Sequence, residues 1–294
     1  MPLLCIGGQT ATGKTAAAIE VAHRWPVVLV SADAMQVYRG FDIGTAKPSA
    51  AEQKAFPHRG VDIRDWNEDY NAAEFAADTD ALVANQNVVV VGGTGFYHRA
   101  LLVGFAPMPD PDPTLRAELS ALPDLHARLV ELDPVTAQRL HANDRVRLIR
   151  AIEVSTLAGR PMSAIHAEHA LTSRHEGERV LLERDGLADH IDQRVETMMA
   201  NGYLDEVRGL LDSGVSVDCK PMRSLGYKHL AQHLLGTMSL PEAIRLTQRD
   251  SRRFARKQKL MFKSVGGFQP TSKLDDVLAA ASRVFSARPS RSRT

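Results

Sequence analysis

A glycine-rich segment near the start of the chain has the spacing of a phosphate-binding loop. Residues 8–15 match G-x-x-x-x-G-K-[ST] at every position, after an apolar run at 3–7 and before a helical pattern at 16–24. Successive backbone N–H groups in such a turn converge on phosphate oxygens, and the helix dipole adds to the attraction. We expect Lys14 to reach a terminal phosphate and Thr15 to bind Mg²⁺ through its hydroxyl. The predicted binding residues are Gly8, Gln9, Thr10, Ala11, Thr12, Gly13, Lys14 and Thr15.

Polar side chains follow two further apolar runs, and each could face this loop. Asp33 comes just after the run at 27–30, and Thr94 follows the run at 88–91 and two glycines. In an open parallel sheet, ligands bind outside the carboxyl ends of the strands. A carboxylate at Asp33 could bind magnesium, cap a helix or act as a base, and its position alone does not choose among these roles. The run at 88–91 ends without the acidic residue that often holds magnesium in kinases and ATPases, which argues against ATP hydrolysis.

Two basic clusters stand out on this chain. The first holds Arg145, Arg147 and Arg150, and the second, at 245–263, holds eight Lys or Arg residues against Asp250 alone. Such density indicates a surface for nucleic-acid phosphates, with a solvated helix face as the alternative.

Several other polar residues give weaker signals. Arg223 is a candidate anion-binding residue in a loop, whereas Lys47 is either a second phosphate contact or, as the pattern favours, an ordinary solvated lysine. His229 and His233 are spaced i,i+4 like a metal-binding pair, but no third ligand accompanies them, so we expect ordinary histidines on a helix surface. Cys5 lies inside the first apolar run and is expected in the core.

Composition and charge narrow the class of protein. The chain has 294 residues, a formal net charge of +1, 44% hydrophobic residues and 24% charged residues, which excludes wholesale disorder. No apolar run approaches the ~18 residues of a membrane helix, and the first residues lack the basic flank and apolar core of a signal peptide. The two cysteines cannot form a disulfide framework or a cysteine-based zinc site. We therefore expect a cytoplasmic protein without a membrane partner.

The order of the elements predicts how these residues are positioned. Short apolar strands alternate with helices in the first part of the chain, which is typical of an α/β fold with a parallel sheet and, given the loop, a P-loop NTPase-like core. Four prolines at 106–113 interrupt this pattern, only helical patterns follow to about residue 169, and a return strand is predicted at 180–183. A long helix is predicted at 241–262. We predict a discontinuous core at 1–108 and 175–286, a helical insertion domain or lid at 109–174, and a disordered basic tail at 287–294.

Six segments carry a resemblance to a known family. They are GQTATGKT at 8–15, SADAMQVYRGFDIGTAKP at 31–48, VGGTGFYHRALL at 91–102, HANDRVRLIRAIEV at 141–154, RSLGYKHL at 223–230 and RRFARKQ at 252–258. In this order they resemble the tRNA dimethylallyltransferases, also called tRNA isopentenyl transferases, over most of residues 3–262. The second segment is the most specific, since other proteins with a phosphate loop do not share it. The chain departs from the family in having Ala142 where proline is common and in a short, motif-poor region at 157–179.

The resemblance implies a reaction and a set of roles. The family transfers a dimethylallyl group from dimethylallyl diphosphate to the exocyclic N6 amine of the adenosine 3′-adjacent to the anticodon in tRNA. The loop would then hold the diphosphate leaving group with Mg²⁺, the residue that matches Asp33 would be the base, and those that match Thr94 and Arg223 would flank the reacting groups. The tRNA-binding residues implied are Asp33, Ala34, Met35, Gln36, Thr94, Val146, Arg147, Leu148, Ile149, Arg150, Arg252 and Arg256. We expect a monomer that binds the anticodon stem-loop with its acceptor base extruded.

Three alternatives stay open at this stage. A nucleotide or small-metabolite kinase shares the phosphate loop and predicts dependence on ATP. A relative that prenylates free AMP would not need the basic helix near Arg252. A non-catalytic RNA-binding protein with a relict loop would not need to keep Lys14, Thr15 and Asp33.

Overall fold

The chain folds into two compact units. In a computed structural model that describes residues 2–169 and 173–286, the larger unit comprises the chain up to Leu102 and from Arg174 onward, and the smaller unit comprises Val103–Ser173. The tail predicted at 287–294 lies outside the described residues. No helix in the described ranges is long and apolar enough to cross a lipid bilayer.

A parallel sheet forms the centre of the larger unit. Its described strands are β1 (Leu3–Gly8), β2 (Val28–Ser31), β3 (His58–Arg59), β4 (Val88–Gly92), β5 (Glu178–Leu182) and β6 (Gln269–Thr271), in the order β3-β2-β4-β1-β5-β6. Every pairing is parallel. Ser31 lies beside Val91, and Gly7 lies beside Gly92, so the ends of β1, β2 and β4 meet at one edge. This arrangement confirms the predicted α/β class with a parallel sheet.

Helices connect and cover these strands. In chain order they are α1 (Lys14–Arg24), α2 (Ala50–Ala55), α3 (Ala72–Val83), α4 (Gly95–Leu102), α5 (Pro113–Ser120), α6 (Leu125–Leu132), α7 (Pro134–Ala137), α8 (Arg145–Ala158), α9 (Met162–Glu168), α10 (Leu187–Ala200), α11 (Tyr203–Asp212), α12 (Tyr227–Leu234), α13 (Leu240–Val265) and α14 (Leu274–Phe285). Helices α5 to α9 belong to the smaller unit, and the others belong to the larger unit.

The main core lies between the sheet and its covering helices. Every residue of β1 is buried, and Ile6 packs in one cluster with Val21 of α1 and Val277 of α14. A strand covered on both faces reads as a continuous apolar run, which is why residues 3–7 were recognisable in the sequence. Burial of each such aliphatic side chain contributes about 1.5–3 kcal/mol. Cys5 is fully buried, which confirms its predicted place in the core.

The smaller unit has an apolar core of its own, with Leu129, Leu148 and Ile152 fully buried or nearly so. The carboxylate of Glu153 is also buried, and it accepts hydrogen bonds from Arg116 at 2.8 Å and from Arg150 at 2.5 Å. Burial by itself would raise the pKa of Glu153, but these hydrogen bonds outweigh it and hold the pKa below the ordinary value. A paired buried carboxylate therefore holds α8 to α5.

The observed elements differ from the predicted ones at the sheet edges. The strands β3 and β6 were not predicted, because they span two and three residues and carry no apolar run. Pro270 in β6 cannot donate a ladder hydrogen bond, and proline of this kind is confined to edge strands. Helix α1 also begins earlier than predicted, at Lys14, since the last residues of the loop already form its first turn.

Candidate active site

Backbone conformation shapes the segment at 8–15 into a cradle. Gly13 precedes α1 in the left-handed region, with φ of 88°, and Ala11 also has a positive φ of 63°. At Gly8 a Cβ atom would lie 2.5 Å from the carbonyl oxygen of Leu182, so this position admits no side chain without a shift of the β5 backbone. The first N–H groups of an α-helix have no partner within the helix, so those at the start of α1 are available to an anion in the cradle.

Lys14 is held inside this cradle. Its Nζ donates to the carbonyl oxygen of Gln9 at 2.5 Å, and the hydroxyl of Thr12 donates to the same oxygen at 2.9 Å. The pKa of Lys14 is lowered to about 7, mainly by burial and also by the positive charge of Arg194, while the carboxylate of Asp33 acts in the opposite direction. An anion bound here would favour the charged form of Lys14.

Asp33 and Thr94 meet where β2 and β4 end. The Oδ1 atom of Asp33 accepts a hydrogen bond from the N–H of Met35 at 2.9 Å, and Thr94 Oγ1 accepts one from the N–H of Ala34 at 3.2 Å. The N–H of Thr94 donates to the carbonyl oxygen of Ala32 at 3.0 Å. Asp33 Oδ2 has no hydrogen-bond donor among the described residues. One carboxylate oxygen therefore caps a turn, and the other is free to accept a proton.

Close backbone approach makes this meeting possible. A Cβ atom at Gly92 would lie 2.2 Å from the carbonyl oxygen of Ala32, and one at Gly93 would lie 2.2 Å from Gln258 Nε2. The Gly92-Gly93 pair thus lets β4 and the segment after β2 lie against each other and against α13.

Helix α13 braces the phosphate loop through a residue that the sequence reasoning missed. Gln258, which is 6% exposed, accepts a hydrogen bond from the N–H of Thr10 at 2.9 Å and donates to the carbonyl oxygen of Gly93 at 3.0 Å. The side chain of Gln9 donates in turn to the carbonyl oxygen of Ala255 at 3.0 Å. Gln258 is the last residue of the RRFARKQ segment, in which neither the positive charge nor the resemblance indicates this contact.

A second missed residue holds the segment after β2. The carboxylate of Glu206 on α11 accepts hydrogen bonds from the N–H groups of Asp42 at 3.1 Å, Ile43 at 2.6 Å and Gly44 at 3.3 Å. It also accepts a hydrogen bond from the hydroxyl of Tyr227 at 2.6 Å. Glu206 therefore ties this segment to the start of α12, and no local sequence signal marks it.

Gln36 and Lys47 serve the same segment internally. Gln36 accepts from the Ser31 hydroxyl at 2.7 Å and donates to the carbonyl oxygens of Thr45 at 3.2 Å and Ala46 at 3.1 Å. The expectation of a solvated Lys47 is wrong, because its side chain is only 3% exposed. Its ammonium group pairs with Asp62 at 2.6 Å and with Asp42, and it donates to the Tyr38 carbonyl at 2.8 Å. A charge of this kind is buried because its hydrogen bonds are satisfied.

Arg223 lies in an exposed loop away from hydrogen-bonding distance of Asp33 or Thr94. Its guanidinium donates to the carboxylate of Asp218 at 2.8 Å, and both side chains are mostly exposed. An exposed pair of this kind contributes little stability. Its predicted role beside the reacting groups stays a prediction.

The basic face of α13 is partly neutralised by ion pairs. Arg252 pairs with Asp192 of α10, whereas Arg256 is exposed and has no ion-pair partner in the described part of the chain.

The prediction of a surface position is wrong for His229, which is 4% exposed and lies beside Thr247 at 3.2 Å. Asp250 lies 3.4 Å from His229 and accepts from Arg249 at 2.9 Å. Asp250 thus removes part of the positive potential predicted for this helix.

In the smaller unit, the residues at 146–150 divide between surface and core. Val146 is 80% exposed, and Arg147 is exposed beside Asp144 at 3.3 Å. The side chain of Leu148 is fully buried in the core of the unit, and the RNA contact implied for this residue stays a prediction. Arg150 is held by Glu153, so Val146 and Arg147 form the outward part of this segment.

The donors at the loop fit a hard cation. Thr15 Oγ1 makes no hydrogen bond to any described residue, and a hydroxyl oxygen is among the donors that Mg²⁺ prefers. No group of three or more His, Cys, Asp or Glu side chains that could hold a metal occurs in the described residues. Magnesium here would depend on ligand oxygens and water for its other positions.

Taken together, the sheet and its loops define an α/β protein whose strand ends hold an anion cradle beside a carboxylate. The sequence profile of the IPP transferase family matches residues 36–265, and the chain belongs to this family. It is 45% identical to tRNA dimethylallyltransferase 1 of Citrifermentans bemidjiense, over 88% of this chain and 88% of that one.

Solved structures agree with this assignment. The tRNA isopentenylpyrophosphate transferase of Bacillus halodurans is 32% identical, with a TM-score of 0.68 over 96% of this chain and 95% of that one. A eukaryotic dimethylallyltransferase acting on tRNA, 23% identical, has a TM-score of 0.84 over 99% of this chain and 81% of that one, which shows the shared fold.

Proposed function

We propose that this protein transfers a dimethylallyl group from dimethylallyl diphosphate to the N6 amine of the adenosine 3′-adjacent to the anticodon in tRNA, releasing diphosphate. The observation that carries the proposal is the anion cradle at 8–15 beside the free carboxylate oxygen of Asp33, in a member of the IPP transferase family. The cradle suits a diphosphate, and the carboxylate suits an acceptor that must lose a proton.

The leaving group is stabilised at the phosphate loop. As the bond between the allylic carbon and the diphosphate oxygen breaks, its electron pair passes to that oxygen, and Lys14 and the loop N–H groups stabilise the negative charge. The hydroxyl of Thr15 would hold Mg²⁺, which would supply further neutralisation of the same charge. The allylic carbon gains cationic character, which allows attack by the weakly nucleophilic adenine amine.

Asp33 accounts for the proton. As the N6–carbon bond forms, N6 carries an excess proton, and Asp33 Oδ2 accepts it as general base. Thr94, hydrogen-bonded to the N–H of Ala34, holds the turn that carries Asp33. The adenine must leave its stack to reach this point, because a stacked base cannot approach the diphosphate.

The basic residues contribute to tRNA binding. Arg256 on α13 and Arg147 on α8 are exposed and suited to phosphate contacts, whereas Arg252 and Arg150 are already paired. We infer that the enzyme acts as a monomer in the cytoplasm, where it meets its tRNA substrate.

Label transfer tests the proposal directly. Labelled dimethylallyl diphosphate is incubated with the protein, Mg²⁺ and tRNA, and a tRNA with guanosine in place of the acceptor adenosine serves as the matched control. We expect label only in the adenosine-containing tRNA. Label in AMP but not in tRNA, or phosphoryl transfer from ATP in a parallel reaction, would contradict the proposal.

A further inference from the structure

Helix α10 brings an arginine to the phosphate loop that no motif marks. Ile191 of α10 packs in one buried cluster with Ala11 of the loop and Ala255 of α13. Arg194 follows Ile191 by three residues, so the two side chains lie on the same side of the helix. The helix is therefore anchored on the loop next to the point from which Arg194 projects.

Arg194 has no partner, unlike most half-buried arginines in the described part of the chain. It is partly buried, yet it forms no hydrogen bond or ion pair within residues 2–169 and 173–286. By contrast, Arg252 pairs with Asp192 and Arg150 pairs with Glu153. Partial removal of a guanidinium from water is unfavourable without a compensating anion. An anion bound at the loop would supply that compensation.

The electrostatic environment places Arg194 with the loop lysine and Asp33. Burial lowers the pKa of Arg194, and the negative charge of Asp33 partly opposes this shift. The charge of Arg194 also acts on Lys14. Two basic groups therefore act on one carboxylate, so the basic groups near the cradle outnumber the acidic ones.

We propose that Arg194 is a further diphosphate-binding residue, which contacts the diphosphate group of the prenyl donor together with Lys14. A guanidinium can donate two parallel N–H bonds to phosphate oxygens, whereas the lysine acts as a point charge. The proposal rests on the proposed function for the identity of the donor, but the contact with a diphosphate group can be measured without the transfer reaction.

The experiment measures binding of inorganic pyrophosphate with Mg²⁺ by calorimetry. It compares the wild-type chain with Arg194→Gln and with Arg194→Met, which keeps the apolar stem without the charge. Arg208→Gln is the matched control, because Arg208 lies on the neighbouring helix α11 and pairs with the exposed Asp205. Affinity for an anticodon stem-loop RNA and the melting temperature are measured on the same samples.

We expect both Arg194 variants to bind pyrophosphate about 10- to 100-fold more weakly, the usual effect of losing a charged hydrogen-bonding partner. We expect the control to bind like wild type. Because the unliganded Arg194 is unpaired, neither variant should melt lower than wild type without ligand, and both should bind the stem-loop RNA normally. A residue with only a packing role would be rescued by Arg194→Met.

Two results would overturn the proposal. One is a folded variant with wild-type affinity for pyrophosphate, and the other is a variant that loses only affinity for the stem-loop RNA, which would make Arg194 an RNA-phosphate contact. If wild type fails to transfer the dimethylallyl group but the variants still lose pyrophosphate affinity, the proposed function fails and the assignment of Arg194 stands.

Discussion

Substituting asparagine at Asp33 separates its two roles. One carboxylate oxygen accepts a hydrogen bond from the N–H of Met35 at 2.9 Å and so caps the turn. The other oxygen is free to act as a base. Asp33→Asn keeps an acceptor for Met35 but cannot take a proton, so the cap survives and the base is lost. Asp33→Ala removes both, and the lost hydrogen bond should cost about 0.5–1.5 kcal/mol of unfolding free energy.

The magnitudes follow from these contacts. Loss of a positioned general base should lower single-turnover transfer by roughly 10²–10⁴-fold in both variants. Pyrophosphate affinity should stay equal or increase, because Asp33 is the carboxylate that opposes the positive charges of Lys14 and Arg194. Rapid-quench assays at saturating tRNA, a calorimetric titration with pyrophosphate and a urea unfolding curve for each variant give the transfer rate, the affinity and the unfolding free energy. Near-normal transfer by Asp33→Asn would refute the assignment and leave Asp33 as a turn cap only.

Three further predictions concern the supports of the site. Gln258→Leu removes two hydrogen bonds and leaves the Thr10 N–H and the Gly93 carbonyl unpaired. Urea unfolding should therefore show that the free energy of unfolding falls by about 1–3 kcal/mol, and pyrophosphate should bind more weakly. Wild-type affinity for pyrophosphate would show that this brace is dispensable. Burial lowers the pKa of the fully buried His98 from 6.5 to about 4. As the pH falls from 6.5 to about 4, the unfolded chain is therefore protonated at His98 before the folded chain is. The free energy of unfolding falls over this pH range by at most about 3 kcal/mol. Denaturation of His98→Gln at several pH values should lack that part of the slope. Arg256→Gln should reduce the slope of log affinity for tRNA against log salt concentration by about one unit, without lowering the melting temperature. Arg252→Gln breaks an ion pair and should lower the melting temperature. Identical behaviour of the two variants would contradict the division between free and paired arginines.

Elements with a strong local signal could be predicted from the sequence. The strands β1, β2 and β4 are short apolar runs because both of their faces are buried, and the loop at 8–15 is marked by glycines at positions of positive φ. The edge strands β3 and β6 were missed because pairing at an edge requires few residues and no apolar face.

The sequence by itself determined the cradle, the strand ends that carry Asp33 and Thr94, and the family of the chain, because these depend on residues close together in the chain. Only the tertiary structure decided which polar residues support them. Gln258 reaches Thr10 across 248 positions of sequence, and the distant helix α10, which carries Arg194, packs on the loop through Ile191. Hydrogen bonds and ion pairs between residues so far apart in the chain leave no local sequence pattern, because their partners are determined by how the helices pack against the sheet. For the same reason the sequence predicts a solvated Lys47, whereas its side chain is buried in the fold.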